Sequence, residues 1–518
     1  MGADVAIPIV MAVLALLLIG TGTFLLIRAR KRGVASGGPL VLSWCLLGVG
    51  VCLGGFGGFV AWRPPLAFVQ LFQTDYDSPE RLEKLKATPV EALDRPAALG
   101  GAWPQWRGPR RDGVSDEAGL RTDWAQAPPP VVWKQPIGGG YSSVAVADGR
   151  LYTMDKQGND ERVLCLDAGT GKELWAHRYR VDYSALQGYT GGPRATPTVA
   201  GGRVFTVGAT GVFLCLEAKP RDGRAHVLWQ HNLAEKFGAS PPGWGVACSP
   251  LVEGKLVCVQ PGGAKGSVAA FDTRTGEVAW TALSEPSGYS SPVAATVAGV
   301  RQVICLTGKG LAGLRAADGK QLWYYRWPTE YDANIATPVL AGNYVFISSD
   351  YGAGCALLEL DADGHGGVRA APVYVKRNKL MRNHHASCVL YRGYLYGFDT
   401  SPDALKCVDL RTGREKWASR RPGKGSVLAA DGALLVLTQE GSLALVAASP
   451  DGFRQQAELR DVLQGSDCWA LPALADKRLY LRDQQHILCI DLKAGGGKKE
   501  ISRKGAKGAK EERKEEKR

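Results

Sequence analysis

Several absences narrow this sequence before any motif is read. It contains no Cys-x-x-Cys-His, which excludes covalently attached c-type haem and with it a fused electron exit. No charge of one sign dominates its body. Of the net charge of +13, +6 sits in residues 493–518 and +4 at Arg28, Arg30, Lys31 and Arg32, which leaves +3 for everything else. A basic nucleic-acid groove is therefore excluded as the main theme. Asp361-Ala-Asp363-Gly-His-Gly366 lacks the distant Glu of a calcium-binding EF-hand loop and reads as a variant turn. His384-His385 has no evident third ligand, and alternation on a strand sends neighbours to opposite faces, so a structural role is expected and no metal site is assigned.

Long uncharged runs are present. Val5–Ile27 spans 23 residues and Pro39–Trp62 another 24, and each exceeds the roughly 20 needed to cross a bilayer as a helix. The basic cluster Arg28–Arg32 lies between them. Gly50, Gly54 and Gly58 give the second run one bare face for close packing. The expectation is a two-helix transmembrane hairpin over 1–64, its basic loop in the cytoplasm and everything after Trp62 on the far side. The chain would then be a multi-pass protein of the bacterial inner membrane with its main domain in the periplasm, and the bilayer would be one partner. Residues 65–102 mix Pro and charge around a short amphipathic piece near Pro79–Lys86 and read as a linker. Residues 493–518 are low-complexity, mixed in charge, and read as a disordered tail.

The remainder, 103–492, is a repeat. A strand, a Gly turn and a second strand recur eight times, at 146–154, 199–207, 252–259, 297–306, 340–348, 390–398, 429–437 and 474–482. From Gly149 to Lys477 there are 328 residues in seven intervals, about 47 each, which suits four-stranded propeller blades. A second pattern follows most hairpins. It consists of alternating apolar residues, an Asp-x-x-Thr-Gly turn and a strand with Trp, as in LCLDAGTGKELW ending at Trp175 and LKCVDLRTGREKW ending at Trp417. Variants end at Trp229, Trp280 and Trp323. The eighth unit runs into Gly495-Gly496-Gly497 without such a strand, while an orphan strand, Val131–Lys134 with Trp133, precedes the first hairpin. The two are expected to pair and close the ring, which removes an exposed sheet edge. Seven blades with one irregular insertion is the alternative.

The Asp-Ala-x-Thr-Gly-x-x-x-Trp unit resembles the tryptophan-docking repeat of the quinoprotein-like, PQQ-repeat eight-bladed β-propellers. That family includes pyrroloquinoline-quinone (PQQ) alcohol dehydrogenases and the cofactor-free lipoprotein propeller of the outer-membrane assembly machinery. The opening WPQWRGPRRDGVS at 103–115 is similar to the lead-in of membrane-linked bacterial PQQ-like repeat propellers. The resemblance implies an all-β fold and a structural role for Trp133, Trp175, Trp229, Trp280, Trp323 and Trp417, each packed over the turn of the adjacent blade. It also exposes departures. Methanol-type members carry a vicinal disulfide, and no two of the 12 cysteines here are adjacent. They hold calcium with Glu, Asn and Asp beside a catalytic Asp, and that set has no match here.

The cysteines read as core residues. Cys165, Cys215, Cys407 and Cys489 share one repeat position that holds Ala270 in the third blade, so the position asks for a small buried side chain. Free thiols are expected, with Cys248 and Cys258 the pair to watch. A propeller's ligand site is usually the funnel where its innermost strands begin. The residues just before the hairpins supply Tyr141, Arg194, Trp244, Tyr289, Asn334, His384, His385, Lys424 and Trp469, aromatic and cationic groups suited to a flat anionic ligand. Asp467 is the one weak catalytic candidate, being the sole acid at these strand starts. The expected function is a binding or scaffold module for an envelope protein or a small ligand, without a cofactor and without turnover. The alternative is a PQQ- and calcium-dependent alcohol dehydrogenase passing electrons to a membrane acceptor.

Overall fold

The Asp-x-x-Thr-Gly signature closes a hairpin through its own side chain. The Asp167 carboxylate accepts from the N–H of Gly169 at 3.1 Å, the N–H of Thr170 at 2.8 Å and the Thr170 hydroxyl at 2.8 Å. This Asx-turn reverses the chain, and Gly171, at φ 73°, completes it. Asp272 and Asp409 cap their turns in the same way. Repeated along the chain, the unit builds a ring of sheets.

The structure, a computed structural model, describes residues 75–93, 101–188, 191–364, 367–465 and 467–494. Eight antiparallel blades follow in order, with strands over 145–180, 198–232, 251–282, 293–326, 339–376, 389–419, 425–459 and 473–491. The eighth blade takes its outermost strand from the other end of the domain. Val131–Pro136 pairs with His486–Asp491, with Trp133 opposite Cys489 and Lys134 opposite Leu488. The domain is thus an eight-bladed propeller closed by an N-terminal strand. Its core lies between blades; one apolar cluster, for example, joins Phe205 and Phe213 of blade 2 to Val257 and Phe271 of blade 3.

Outer-strand Trp residues tie four of the blades to the next. Trp133 donates through Nε1 to Ala168 O of blade 1 at 3.1 Å, Trp229 to Thr273 O of blade 3, Trp280 to Ala316 O of blade 4 and Trp417 to Ser449 O of blade 7. The ring lies on the turn glycine it covers. A Cβ on Gly171 would stand 2.5 Å from the Trp133 ring, and one on Gly319 2.5 Å from that of Trp280. Inside each blade the residue opposite the Trp is small: Cys165, Cys215, Ala270, Gly313, Cys407 or Cys489. Two Trp depart from the pattern. Trp323 donates within its own blade to Gln302, and Trp175 Nε1 is buried without a hydrogen-bond partner, the corresponding carbonyl, Ala218 O, accepting from Tyr152 and Arg150 instead. In blade 5 the docking residue is Tyr374, whose hydroxyl donates to Leu410 O of blade 6 at 3.3 Å. The ten described cysteines, Cys248 and Cys258 among them, are all free and buried.

The stretch expected as a linker is part of the propeller where it is described. Tyr76–Asp77 adds a fifth strand to the outer edge of blade 5, and helix α1, Pro79–Ala87, is capped by Ser78 and buries Leu85. The lead-in segment then runs through the central channel. Trp103 bridges to Val146 of blade 1, Pro104 O accepts from Val199 N of blade 2, and the buried Arg111 guanidinium donates to Ser249 O and Pro250 O ahead of blade 3. Trp106 Nε1 donates to Thr337 Oγ1 ahead of blade 5, Arg107 to Cys388 O ahead of blade 6, and Val114–Ser115 pairs with the innermost strand of blade 7. This plug explains the density of Gly, Arg and Trp in WPQWRGPRRDGVS: the Arg side chains reach backbone carbonyls that the funnel of strands leaves facing inward.

The expected membrane topology needs correction. Among the described residues no helix is long and apolar enough to cross a membrane. The longest, α1, has 9 residues; at about 1.5 Å per residue it extends about 13 Å, less than half a hydrocarbon core of about 30 Å. The runs Val5–Ile27 and Pro39–Trp62 and the tail from 495 onward lie outside the described residues. The assignment to a multi-pass inner-membrane protein is therefore withdrawn, and what stands is the propeller.

Candidate functional site

The segments that lead into the innermost strands converge on one mouth. A cavity of about 400 Å³ opens there. Trp106 of the plug lies at its lining together with Ala247, Ser291 and Ile335, and aromatic side chains form the wall. These rings touch in sequence around the opening. Tyr289 and Trp244 lie 5.7 Å apart between centroids, Trp244 and Tyr351 6.2 Å at an interplanar angle of 20°, and Tyr351 and His384 5.4 Å. The belt continues through His384 and His385 at 3.8 Å, His385 and Trp469 at 3.9 Å, and Trp469 and Tyr141 at 5.1 Å and 22°. Arg194 ends the series, its guanidinium 5.6 Å from the centre of the Tyr141 ring, a cation–π arrangement.

Of the nine funnel residues named from the sequence, seven line this cavity: Tyr141, Arg194, Trp244, Tyr289, His384, His385 and Trp469. Lys424 stands beside it in a small cleft shared with His384, His385 and Trp469. Asn334 is elsewhere. It is fully buried beneath the mouth, its amide donating to Thr307 O and Trp327 O at 2.8 Å each and its oxygen accepting from Ser349. Asp467 has φ 63° and its backbone carbonyl accepts from Trp469 N, but it does not line the cavity. Trp106 and Tyr351 are the aromatic lining residues that sequence reading missed. The first sits on the plug, whose path no local pattern reveals. The second sits in the hairpin between the second and third strands of blade 5, away from the segments that lead into the innermost strands.

The two histidines do not occupy opposite faces of a strand. They lie in the loop before blade 6, where the rings stack on each other and His385 is clamped against Trp469. Lys424 Nζ is 3.4 Å from His384 Nδ1, and Tyr351 Oη is 3.0 Å from Nε2. An ammonium only donates, so Nδ1 accepts and the neutral ring carries its proton on Nε2, facing Tyr351. Burial lowers the His384 pKa, with Lys424 adding to the effect. Burial, then His384 and Lys424, bring His385 down to about 3. Arg194 is lowered by burial against the pull of the neighbouring Tyr183 and Tyr141, yet stays a cation near neutral pH.

The lining contains one guanidinium, two neutral imidazoles, hydroxyls and rings, and no carboxylate. Beneath it, Arg111 reaches Ser249 O, and Ser249 N in turn donates to Ser291 at the cavity wall. The plug's buried Arg111 thus adds positive charge below the mouth with only oxygens of carbonyl and amide groups as partners. A flat anionic quinone fits such a lining. The carboxylates that commonly hold a calcium ion are not part of it, and among the described residues no group of three or more His, Cys, Asp or Glu is placed to hold a metal.

Comparisons with known proteins agree with this architecture. A family model described as "Outer membrane protein assembly factor BamB" matches residues 121–240 and 159–419. The chain is 31% identical over 199 residues to the outer membrane protein assembly factor BamB of Burkholderia pseudomallei (strain K96243), which is 37% of this chain and 44% of the relative. It is 29% identical over 152 residues to the quinohemoprotein alcohol dehydrogenase ADH IIB of Pseudomonas putida, 28% of this chain and 20% of that one. The matches thus span less than half the length of either curated relative. In fold, it is similar to the quinohemoprotein alcohol dehydrogenase of Comamonas testosteroni, with a TM-score of 0.57 at 12% identity over 80% of this chain and 84% of that one. With the repeat, the Trp docking and the closed ring in place, the chain belongs to the PQQ-repeat propeller family described as outer membrane protein assembly factor BamB.

Proposed function

We propose that this propeller is a binding module whose mouth takes a flat, aromatic, anionic group, either as a small molecule or as part of an envelope protein partner. The single observation that carries this reading is the unbroken belt of rings from Tyr289 to Tyr141, with Arg194 at its end and no carboxylate in the wall. The rings supply apolar faces for stacking. Arg194 supplies a charge-assisted contact for an acidic oxygen, and its partial burial strengthens that contact by excluding water. His384 and His385, held neutral, add no charge but leave Arg194 and Lys424 as the cations around the opening.

The second reading, a PQQ-dependent dehydrogenase, draws on the similarity to the Pseudomonas putida enzyme. Against it stands the lining, which contains no carboxylate either to hold calcium or to act as the base beside a bound quinone. Asp467, the base candidate, lies outside the lining. The two readings separate in one titration calorimetry series. PQQ and anthraquinone carboxylate should bind the wild type in excess EDTA, and Arg194→Ala and Trp469→Ala should each weaken binding about tenfold or more. Binding that requires calcium, accompanied by alcohol oxidation lost in Asp467→Asn, would overturn the binding-module reading in favour of the enzyme.

A further inference from the structure

A second cavity, of about 390 Å³, lies beside the mouth on the tops of blades 3 and 4, a groove whose wall includes Pro241, Gly243, Gly263, Glu285 and Ser287. Its lining is mostly small residues and main chain, and its two charged members, Glu285 and Asp332, are both carboxylates. Both are already engaged, Glu285 by Thr307 and Tyr324 and Asp332 by Lys309. Tyr289 lines this groove and the ring-lined cavity alike, and Trp244 of the cavity directly follows Gly243 of the groove.

Tyr331 stands between the two. It lines the groove, and its ring meets Trp244 at 5.8 Å and 73° and Tyr351 at 6.0 Å and 79°, edge against face, from the groove side. The surrounding chain is fixed: Trp327 and Asn334 are completely buried, Thr329 and Ala333 almost so, while Tyr331 is 63% exposed. Tyr331 and Asp332 both sit in the left-handed region, at φ 59° and 55°. A bulky aromatic there is an uncommon choice where glycine would be relaxed. An exposed ring on strained backbone, with buried anchors on both sides, gains nothing for the core; its contacts are with the wall between the cavities.

We infer that the mouth and the groove are two halves of one elongated site, and that Tyr331 is the partition that sets how long a ligand it accepts. This rests on the reading of the mouth as a site for flat aromatic anions. The ligand class that fits both halves is an aromatic anion carrying an extended chain of hydrogen-bonding groups without negative charge, since Glu285, held by hydroxyls and not by a cation, would repel an acidic tail.

The test uses the full chain with two probes, anthraquinone carboxylate and the same molecule extended on its far ring by a triglycine amide, titrated into wild type, Tyr331→Ala and Tyr331→Phe. Tyr331→Ala should bind the extended probe about tenfold tighter relative to the short one than wild type does, and Tyr331→Phe should keep the wild-type ratio. Because Tyr331 is exposed, these variants are expected to fold; Tyr331→Gly, which also relieves the left-handed backbone, is the second variant and should show the same change in ratio as Tyr331→Ala. If the short probe binds wild type but the ratio is unchanged in Tyr331→Ala and Tyr331→Gly, the partition is refuted while the mouth stands. If the short probe binds no variant, the mouth fails and the elongated site with it.

Discussion

The stacked histidine pair makes stability depend on pH with a sign and size that can be worked out. In the folded chain His385 titrates at about 3, because burial and the adjacent His384 and Lys424 disfavour its charged form. An unfolded histidine titrates near its ordinary value of about 6.5. Below that value the unfolded chain binds a proton that the folded one refuses. The folded pKa is depressed, so stability is full above about 6.5 and falls as pH drops toward 3. Each pH unit costs about 1.4 kcal/mol, and at pH 5 the loss from this one residue is about 2 kcal/mol. Replacing His385 by Phe keeps a flat ring between His384 and Trp469 and removes the titration. Urea unfolding of wild type and His385→Phe at pH 7.5 and pH 5 isolates the term, since the other acid-sensitive groups are common to both. The variant should gain about 2 kcal/mol on wild type between the two pH values. A stability difference that is the same at both pH values would refute the buried, neutral stack.

Three further outcomes are expected. Trp133→Ala removes the ring that joins the closing strand to Ala168 and Gly171 of blade 1, and should cost about 3–5 kcal/mol in denaturant unfolding, as large core truncations do; deleting Val131–Lys134 should cost more, because it also exposes a sheet edge. Gly171→Ala should be far more damaging than Gly149→Ala: both glycines have φ 73°, but a Cβ meets the Trp133 ring at 2.5 Å in the first and open space in the second, so a thermal melt that ranks them equally would contradict the docking geometry. The ten buried thiols should resist a thiol reagent until the propeller unfolds, because burial pushes Cys215, Cys248, Cys388, Cys407 and Cys468 up to about 12; fast labelling of any of them in the native domain would show a blade open.

The blades were legible because their information is local. An Asp that caps its own turn, the Gly that completes it, the Trp that follows and the small residue opposite that Trp, as in Asp167, Gly171, Trp175 and Cys165, all fall within a dozen positions of one another. Ring closure was legible for a different reason: the eighth unit lacks a strand and Val131–Lys134 lacks a partner, so each identifies the other. What the sequence hid depends on contacts between distant blades. The plug touches strands up to about 300 residues away, and only the folded channel shows why Arg107 and Arg111 stand among its glycines. Tyr374 takes over the docking role in blade 5 without the Trp that marks the others. Asn334 occupies a strand start like the lining residues, yet its amide serves three backbone and side-chain partners below the mouth. His384 and His385 were read by strand alternation, which does not apply in a loop.

The central claim, that the ring-lined mouth holds a flat aromatic anion, is tested most directly by a crystal structure of the protein with anthraquinone carboxylate in the presence of EDTA. The account expects the ring system in the cavity bounded by Trp469, Tyr141 and Trp244, with its carboxylate against Arg194 and no metal beside it. Density for the compound elsewhere on the propeller, or an empty mouth at saturating ligand, would contradict it.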